Sequence, residues 1–297
     1  MKRLTIFTPT YNRGYCIRNL YECLKKQTNN DFLWLVVDDG STDNTRELLT
    51  EFQEEKYIDI MVHCQKNGGK HVAHNKALEL CDTELFVCVD SDDVLTENAV
   101  DLILKRYDEV KNENVLGLYM RKITKNGDNI ASDYPLGLTR VGIEDLYHKY
   151  SFIGDTVIIL KTELVKDYKF PVFPEERFVS ESVFYNQLND IAPMALFEDA
   201  IYICEYLPDG YTSNTEKLTI KNPYGSAVAN LFEAAYAENL LYKIKNYSQY
   251  LALIRVFKLD KKRLSSFCKP NFIIRFAGHI ILSHYIKLFE RLRLKYE

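Results

Sequence analysis

The sequence predicts an α/β fold: a mostly parallel central sheet flanked by helices, with a helical extension at the C-terminal end. Three observations predict it. Apolar runs of strand length alternate with helix-period segments through the first 110 residues. Three of those runs end in polar clusters, TPTYNR, DDGS and DSDD. After about residue 222, turn signals thin out and helical periodicity takes over.

Strand-like runs occupy residues 4–8, 32–38, 58–63 and 85–90, with helical patterns over 15–27, 42–54 and 70–81 and another after Thr96. Alternation of this kind builds βαβ units, whose crossovers make neighbouring strands parallel and cover both faces of the sheet. Ligands of such sheets bind beyond the carboxyl ends of the strands, where the three polar clusters fall. Residues 115–140 read as a hairpin: VLGLYMRKI, a turn at KNGD and a return strand. Pro208, Asp209 and Gly210 mark a turn in a segment that either connects domains or closes over a ligand. The domain division read from this pattern is 1–220 for the catalytic domain and 221–297 for the extension.

At 297 residues, 46% hydrophobic and 27% charged, the chain has an ordinary globular composition, enough for one large domain or a main domain with an appendage. A net charge of -4 makes no case for nucleic acid as a partner. The charge is unevenly spread. Residues 251–297 hold 11 Lys/Arg against 3 Asp/Glu, a local +8, so the preceding 250 residues carry -12. The seven cysteines are odd in number and form no CxxC pair, which fits reduced structural thiols in a cytoplasmic protein. The opening MKRLTIFTPTYN is interrupted by Pro9 and does not read as a signal peptide. No apolar run reaches the roughly 18 residues of a membrane-crossing helix.

The run ELFVCVDSDD ends a buried-type strand in Asp90, Ser91, Asp92 and Asp93. Two carboxylates about 4 Å apart repel by roughly 4 kcal/mol at an effective dielectric near 20, a cost a cation would remove. An all-oxygen cluster favours a hard divalent ion, Mg2+ or Mn2+, over zinc. Asp90 and Asp92 share one face of an extended strand end, so both can converge on a metal and its phosphates. The competing reading is a helix cap, with Asp92 or Asp93 ahead of the helix after Thr96.

At Asp38–Asp39–Gly40–Ser41 the chain turns from strand towards helix. Turn and cap chemistry accounts for Gly40 and Ser41, but not for two adjacent carboxylates at the ligand edge. A carboxylate there could accept the ring N–H of uracil, thymine or guanine. Tyr11 could stack on the base while Thr8 and Pro9 shape its pocket; equally, Tyr11 reads as a core or rim aromatic. His71 and His74 are three apart on one helix. Without a third spaced ligand they read as polar wall or surface residues rather than a zinc site.

TPTYNR, VVDDGSTDNT, NGGKHVAHNKAL and VCVDSDD, in this order and spacing, resemble the family-2 glycosyltransferases of the GT-A fold. The resemblance spans roughly residues 3–110 and continues weakly to about 215. It implies transfer of a sugar from a nucleotide-diphosphate donor, commonly UDP-linked, with inversion at the anomeric carbon. On it, Asp39 binds the base, Tyr11 stacks on it, and Asp90 approaches ribose and phosphates. Asp92 ligates a Mn2+ or Mg2+ bridging the diphosphate, with Asp93 beside it. Lys70 lies near the diphosphate, or is a solvated lysine opening a helix.

Inverting transfer needs a base for the acceptor hydroxyl and charge neutralisation of the leaving diphosphate. Family members carry the base as the second acid of a Glu-Asp pair opening a helix. In PEERFVSESVFYNQL that pair reads Ser180–Glu181, making Glu181 the candidate base, and a later Arg of the family is Gln187 here. Glu175 and Glu176 compete with it but read as exposed charges before a helix. The family implies synthesis of a surface polysaccharide (capsule, exopolysaccharide or lipopolysaccharide) by a hexosyl- or N-acetylhexosaminyl-transferase. The acceptor would be a glycan or polyprenyl-linked lipid. The last helix, over 270–296, is basic and amphipathic, so it could lie on an anionic membrane at the inner face, or pack on the domain. Two other functions fit parts of the pattern: DSDDV matches a haloacid-dehalogenase-type phosphatase motif, and a non-catalytic nucleotide-sugar binder needs no base.

Overall fold

A computed structural model of the chain describes residues 2–204 and 215–296. The expected turn at Pro208, Asp209 and Gly210 lies outside the described residues. The chain divides into two compact units, Met1–Lys169 with Leu188–Tyr206, and Phe170–Gln187 with Leu207–Glu297.

The first unit begins with the expected alternation: β1 (Leu4–Thr10), α1 (Ile17–Lys25), β2 (Phe32–Asp38), α2 (Thr45–Glu55), β3 (Ile60–Cys64), α3 (Lys70–Leu80) and β4 (Leu85–Cys88). It continues through β5 (Val94–Leu95), α4 (Ala99–Val110), β6 (Gly117–Ile123), β7 (Arg140–Val141), α5 (Asp145–His148), β8 (Thr156–Lys161) and α6 (Thr162–Val165). After α7 (Ser182–Leu188) the chain adds β9 (Met194–Ile203). The nine strands form one sheet in the order β3-β2-β1-β4-β8-β6-β9-β5, with β7 also on β9.

From β3 to β4 every pairing is parallel, with Leu4 opposite Phe32 and Leu85. Beyond β4 the sheet is mixed. β8 runs antiparallel between β4 and β6, β6 is parallel to β9, and β5 and β7 pair antiparallel with β9. Strands β1, β2 and β4 of the parallel half are buried on both faces, whereas β3 at the edge is partly exposed. Leu4, Ile6, Trp34, Val36, Leu85 and Val87 are fully buried in the core with Ile17, Leu20, Tyr21 and Phe52. Tyr21 stacks on Phe52 at 3.9 Å between ring centres, which seals α1 and α2 over this face.

The expected hairpin over 115–140 forms only its turn. Thr124 N donates to Asp128 O at 2.9 Å, and Gly127 adopts φ +86°. No return strand pairs with β6 beyond a single bridge from Ile123 to Asn129, because both edges of β6 are taken by β8 and β9. β6 fits against β8 by close backbone approach: a Cβ at Gly117 would come within 1.9 Å of the Ile159 carbonyl oxygen.

In the second unit the described helices are α7, but for its last residue, with α8 (Thr215–Lys221), α9 (Pro223–Tyr236), α10 (Leu240–Phe257), α11 (Lys261–Ser265), α12 (Phe272–Ala277) and α13 (Leu282–Tyr296). The single helix expected over 270–296 is therefore two. The break follows Gly278, whose missing side chain lets the backbone lie on Tyr247; a Cβ there would meet the ring at 2.6 Å. α13 turns Phe289 inward, Lys295 pairs with Glu216 at 2.9 Å, and Arg293 donates to the Val256 carbonyl. The charge on α13 thus serves partly to hold it on its own unit. No described helix is long and apolar enough to cross a membrane.

Candidate functional site

The loops that follow β1, β2, β3 and β4 leave the same end of the parallel half-sheet, and hydrogen bonds tie them together. Asn12 takes a left-handed conformation at φ 53°, donates from its backbone to Ser41 Oγ at 2.9 Å and accepts from Thr42 N at 2.8 Å. Gly14 N donates to Asp43 Oδ2 at 3.0 Å. The TPTYNR and DDGS loops are therefore one clasp.

The two adjacent carboxylates of DDGS divide the work. Asp38 is fully buried, accepts from Ser41 N at 2.9 Å and pairs with Arg46 at 2.6 Å, so it shapes the turn. Asp39 faces the next loop. Its Oδ1 accepts from Gln65 Nε2 at 2.8 Å and Gly68 N at 2.9 Å, and its Oδ2 from Gly69 N at 2.7 Å. A carboxylate has about four lone-pair sites, so three bonds leave Asp39 able to accept one more. Gly40, at φ +85°, is required twice over: a Cβ would be strained and would sit 2.9 Å from Asn67 N.

The same loop ends at Gly69, which precedes α3, and Lys70 opens the helix. Lys70 Nζ meets Asp90 Oδ1 at 2.7 Å, so the lysine is engaged at the carboxylate cluster rather than simply solvated. Asp92 Oδ2 lies 3.9 Å from Arg13. Asp93 accepts from the Tyr202 hydroxyl at 2.7 Å, and that hydroxyl in turn accepts from Asp90 N at 3.1 Å. Burial pushes the Asp93 carboxyl up to about 6; the Tyr202 hydrogen bond opposes this, while Asp90 and Asp92 add to it. Neither Asp92 nor Asp93 caps α4. β5 intervenes, and the cap position is Asn98.

Tyr11 is 47% exposed at the rim rather than part of the core. Pro9 is half-buried, whereas Thr8 is fully buried with its hydroxyl accepting from Trp34 Nε1 at 3.0 Å, so Thr8 lies beneath the rim and not on it. Tyr11, Asp39, Lys70, Asp90, Asp92 and Asp93 thus come together on one loop-built edge of the first unit.

Among the described residues, no group of three His, Cys, Asp or Glu is placed to hold a metal by itself. The donor chemistry nonetheless suits Mg2+ or Mn2+, which bind through one or two carboxylates plus ligand phosphates rather than in all-protein cages. His71 and His74 are both buried, and His74 packs edge-on to Phe7 and Phe86 at 5.7 and 5.3 Å, as a wall residue would.

Glu181 belongs to the second unit, exposed at the start of α7, where its carbonyl accepts from Phe184 N at 2.9 Å. Gln187 donates to the Val183 carbonyl in the same helix. The reading of Glu176 as an exposed charge fails. It is buried, and its two oxygens accept from Tyr224 N and Gly225 N, each at 2.7 Å. It caps α9, whose first amides would otherwise be unpaired, and that engagement removes it as a competing base.

Sequence reasoning missed Tyr202 and Gln65, and left Arg13 without a role. Arg13 lies inside TPTYNR and could have been found there. Tyr202 carries no local signal, because it reaches the site only through the pairing of β9 with β5.

The model of the family described as "Glycosyl transferase family 2" matches residues 5–169. Glycosyltransferase GlyG of Streptococcus pneumoniae is 29% identical over 125 residues, 42% of this chain and 42% of that protein. The teichoic acid poly(glycerol phosphate) polymerase of Staphylococcus epidermidis is 33% identical over 112 residues, 36% of this chain and 15% of that one. The matched regions are thus less than half the length of these curated relatives. The solved structure of S. aureus TarS in complex with UDP-GlcNAc superposes with a TM-score of 0.63 at 19% identity, covering 99% of this chain and 91% of that one, which shows a shared fold.

Replacing Tyr202 by Phe strands the Asp93 carboxyl and the Asp90 amide. The expected cost is about 1–3 kcal/mol of stability, read from the urea midpoint. An unchanged midpoint would mean that the loop does not lean on this hydroxyl.

Proposed function

This chain belongs to glycosyl transferase family 2, and from that premise we propose that it moves a sugar from a UDP-linked donor to a hydroxyl of a glycan or polyprenyl-linked acceptor. The transfer inverts the anomeric carbon and serves assembly of a bacterial surface polysaccharide. One observation carries the reading: four loops at one end of a parallel half-sheet draw Asp39, Lys70, Asp90 and Asp92 onto a single edge with Tyr11. The likeness to a teichoic acid polymerase supports the polymer class. The UDP-GlcNAc bound to TarS supports a uridine donor and a hexosyl- or N-acetylhexosaminyl-transferase. We take residues 1–220 as the catalytic domain, with 221–297 as its extension.

Each residue has a defined role. Asp39, held rigid by Gly68 and Gly69, offers its remaining lone pair to the ring N–H of uracil. Tyr11 stacks on the base, Pro9 lines its edge, and Thr8 supports them from below. Lys70 and Asp90 bind on the ribose–phosphate side, with Arg13 close by. Mn2+ or Mg2+ held by Asp92, with Asp90 and Asp93, would neutralise the leaving diphosphate, so that no acid need protonate it. Glu181 takes the proton from the acceptor hydroxyl as that oxygen attacks the anomeric carbon and the sugar–phosphate bond breaks.

A cytoplasmic enzyme with a lipid-linked acceptor would work at the inner face of the membrane. Phe272, Ile273 and Phe276 of α12 are all more than 60% exposed, an apolar face suited to the membrane interface.

Three measurements test this. UDP with Mn2+ should raise the melting temperature more than UDP alone, and Asp92→Asn should abolish that difference; no stabilisation by any nucleoside diphosphate with any divalent metal would remove the donor-site assignment. Glu181→Gln should keep donor binding and lose transfer by about 10²–10⁴-fold, whereas near-normal turnover would place the base elsewhere. Phe272→Asp with Phe276→Asp should reduce co-sedimentation with anionic vesicles, and equal sedimentation would dismiss the membrane role.

A further inference from the structure

The second unit contains a cavity of about 210 Å³, between α10, α11 and α12, that none of the donor-site chemistry uses. It is smaller than the roughly 300 Å³ at which pockets for drug-sized ligands begin, so it suits a single compact group. Three cations line it: Lys261 at the start of α11, Lys269 in the following connection, and Arg275 on α12. No carboxylate lines it, and none of the three cations has an ion-pair partner among the described residues.

Tyr250, 1% exposed on α10, also lines the cavity, and its hydroxyl is buried with no hydrogen-bond partner among the described residues. A buried polar group left in that state calls for an explanation, and a bound group is one. Cys268 adds no competing charge, since burial pushes its thiol up to about 12 and keeps it neutral.

We infer that this cavity binds a phosphate group, gripped by Lys261, Lys269 and Arg275 and hydrogen-bonded by the Tyr250 hydroxyl. Phosphate offers several acceptor oxygens to a guanidinium, two ammonium groups and one O–H donor, none of which can accept in place of donating except the tyrosine. The phosphate is carried either by a soluble ester or by a lipid headgroup, whose chains would run along the exposed Phe272, Ile273 and Phe276 of the helix that bears Arg275.

The test is hydrogen exchange on the full chain at constant ionic strength, with glycerol phosphate in one arm and phosphatidylglycerol vesicles in the other. Exchange over residues 261–277 should slow in at least one arm. Slowing by glycerol phosphate identifies a soluble ester as sufficient; slowing by vesicles alone identifies the headgroup. The triple variant K261Q/K269Q/R275Q alters only exposed side chains and should weaken the effect by about tenfold or more. Tyr250→Phe should weaken it several-fold without lowering the melting temperature. No slowing in either arm, or slowing unchanged in the triple variant, overturns the inference. Nucleotide binding, followed separately, reports on the donor site and not on this cavity.

Discussion

The proposed donor edge depends on how a buried carboxylate is satisfied. Asp39 is almost out of water, and an unpaired charge there would cost several kcal/mol. The backbone amides of Gly68 and Gly69 and the side chain of Gln65 supply its partners. That one requirement fixes the loop after β3 against the loop after β2. It also sets where α3 begins and brings Lys70 within reach of Asp90. Gly40 is part of the same constraint, since any side chain there would push the two loops apart. The carboxylate is both structural anchor and the proposed reader of the base, and anchoring is what gives it a fixed position from which to read.

The DSDD turn follows the same logic with a different partner. Crowded carboxylates, read from the sequence alone, call for a neutralising cation. In the structure that compensation is shared among three separate groups, with Lys70 at Asp90, Arg13 near Asp92, and the Tyr202 hydroxyl at Asp93. Burial above all, with Asp90 and Asp92 adding to it, still holds the Asp93 carboxyl above its ordinary range. A divalent ion arriving with a diphosphate would enter a site already holding cations, so it would act on a balance rather than on bare negative charge.

The parallel half-sheet and its ligand edge were legible because βαβ periodicity and strand-end polar clusters are local signals. The strands after β4 were not. Their order depends on which edge a later strand reaches, and residues 117–123 look alike whether they fold back as a hairpin or accept β8 and β9 on both sides. Glu176 was misread for a similar reason: its cap lies 48 residues away on Tyr224, and nothing nearby marks it as buried. The split of the last helix was hidden in a lone glycine, because the turn at Gly278 is set by its packing contact with Tyr247, which lies 31 residues earlier in the chain.

The antiparallel insertion of β8 between β4 and β6 has a consequence for synthesis. A ribosome delivers β1 to β4 first, and this parallel half can assemble with its helices while the chain is still growing. The outer edge of β4 then waits, unpaired, until β8 emerges some 70 residues later, an interval in which an open strand edge invites wrong partners. Tyr202 emerges later still. The carboxylate turn is thus completed among the last parts of its unit, and a nascent chain would present the fold of the proposed donor site before it could present the finished turn.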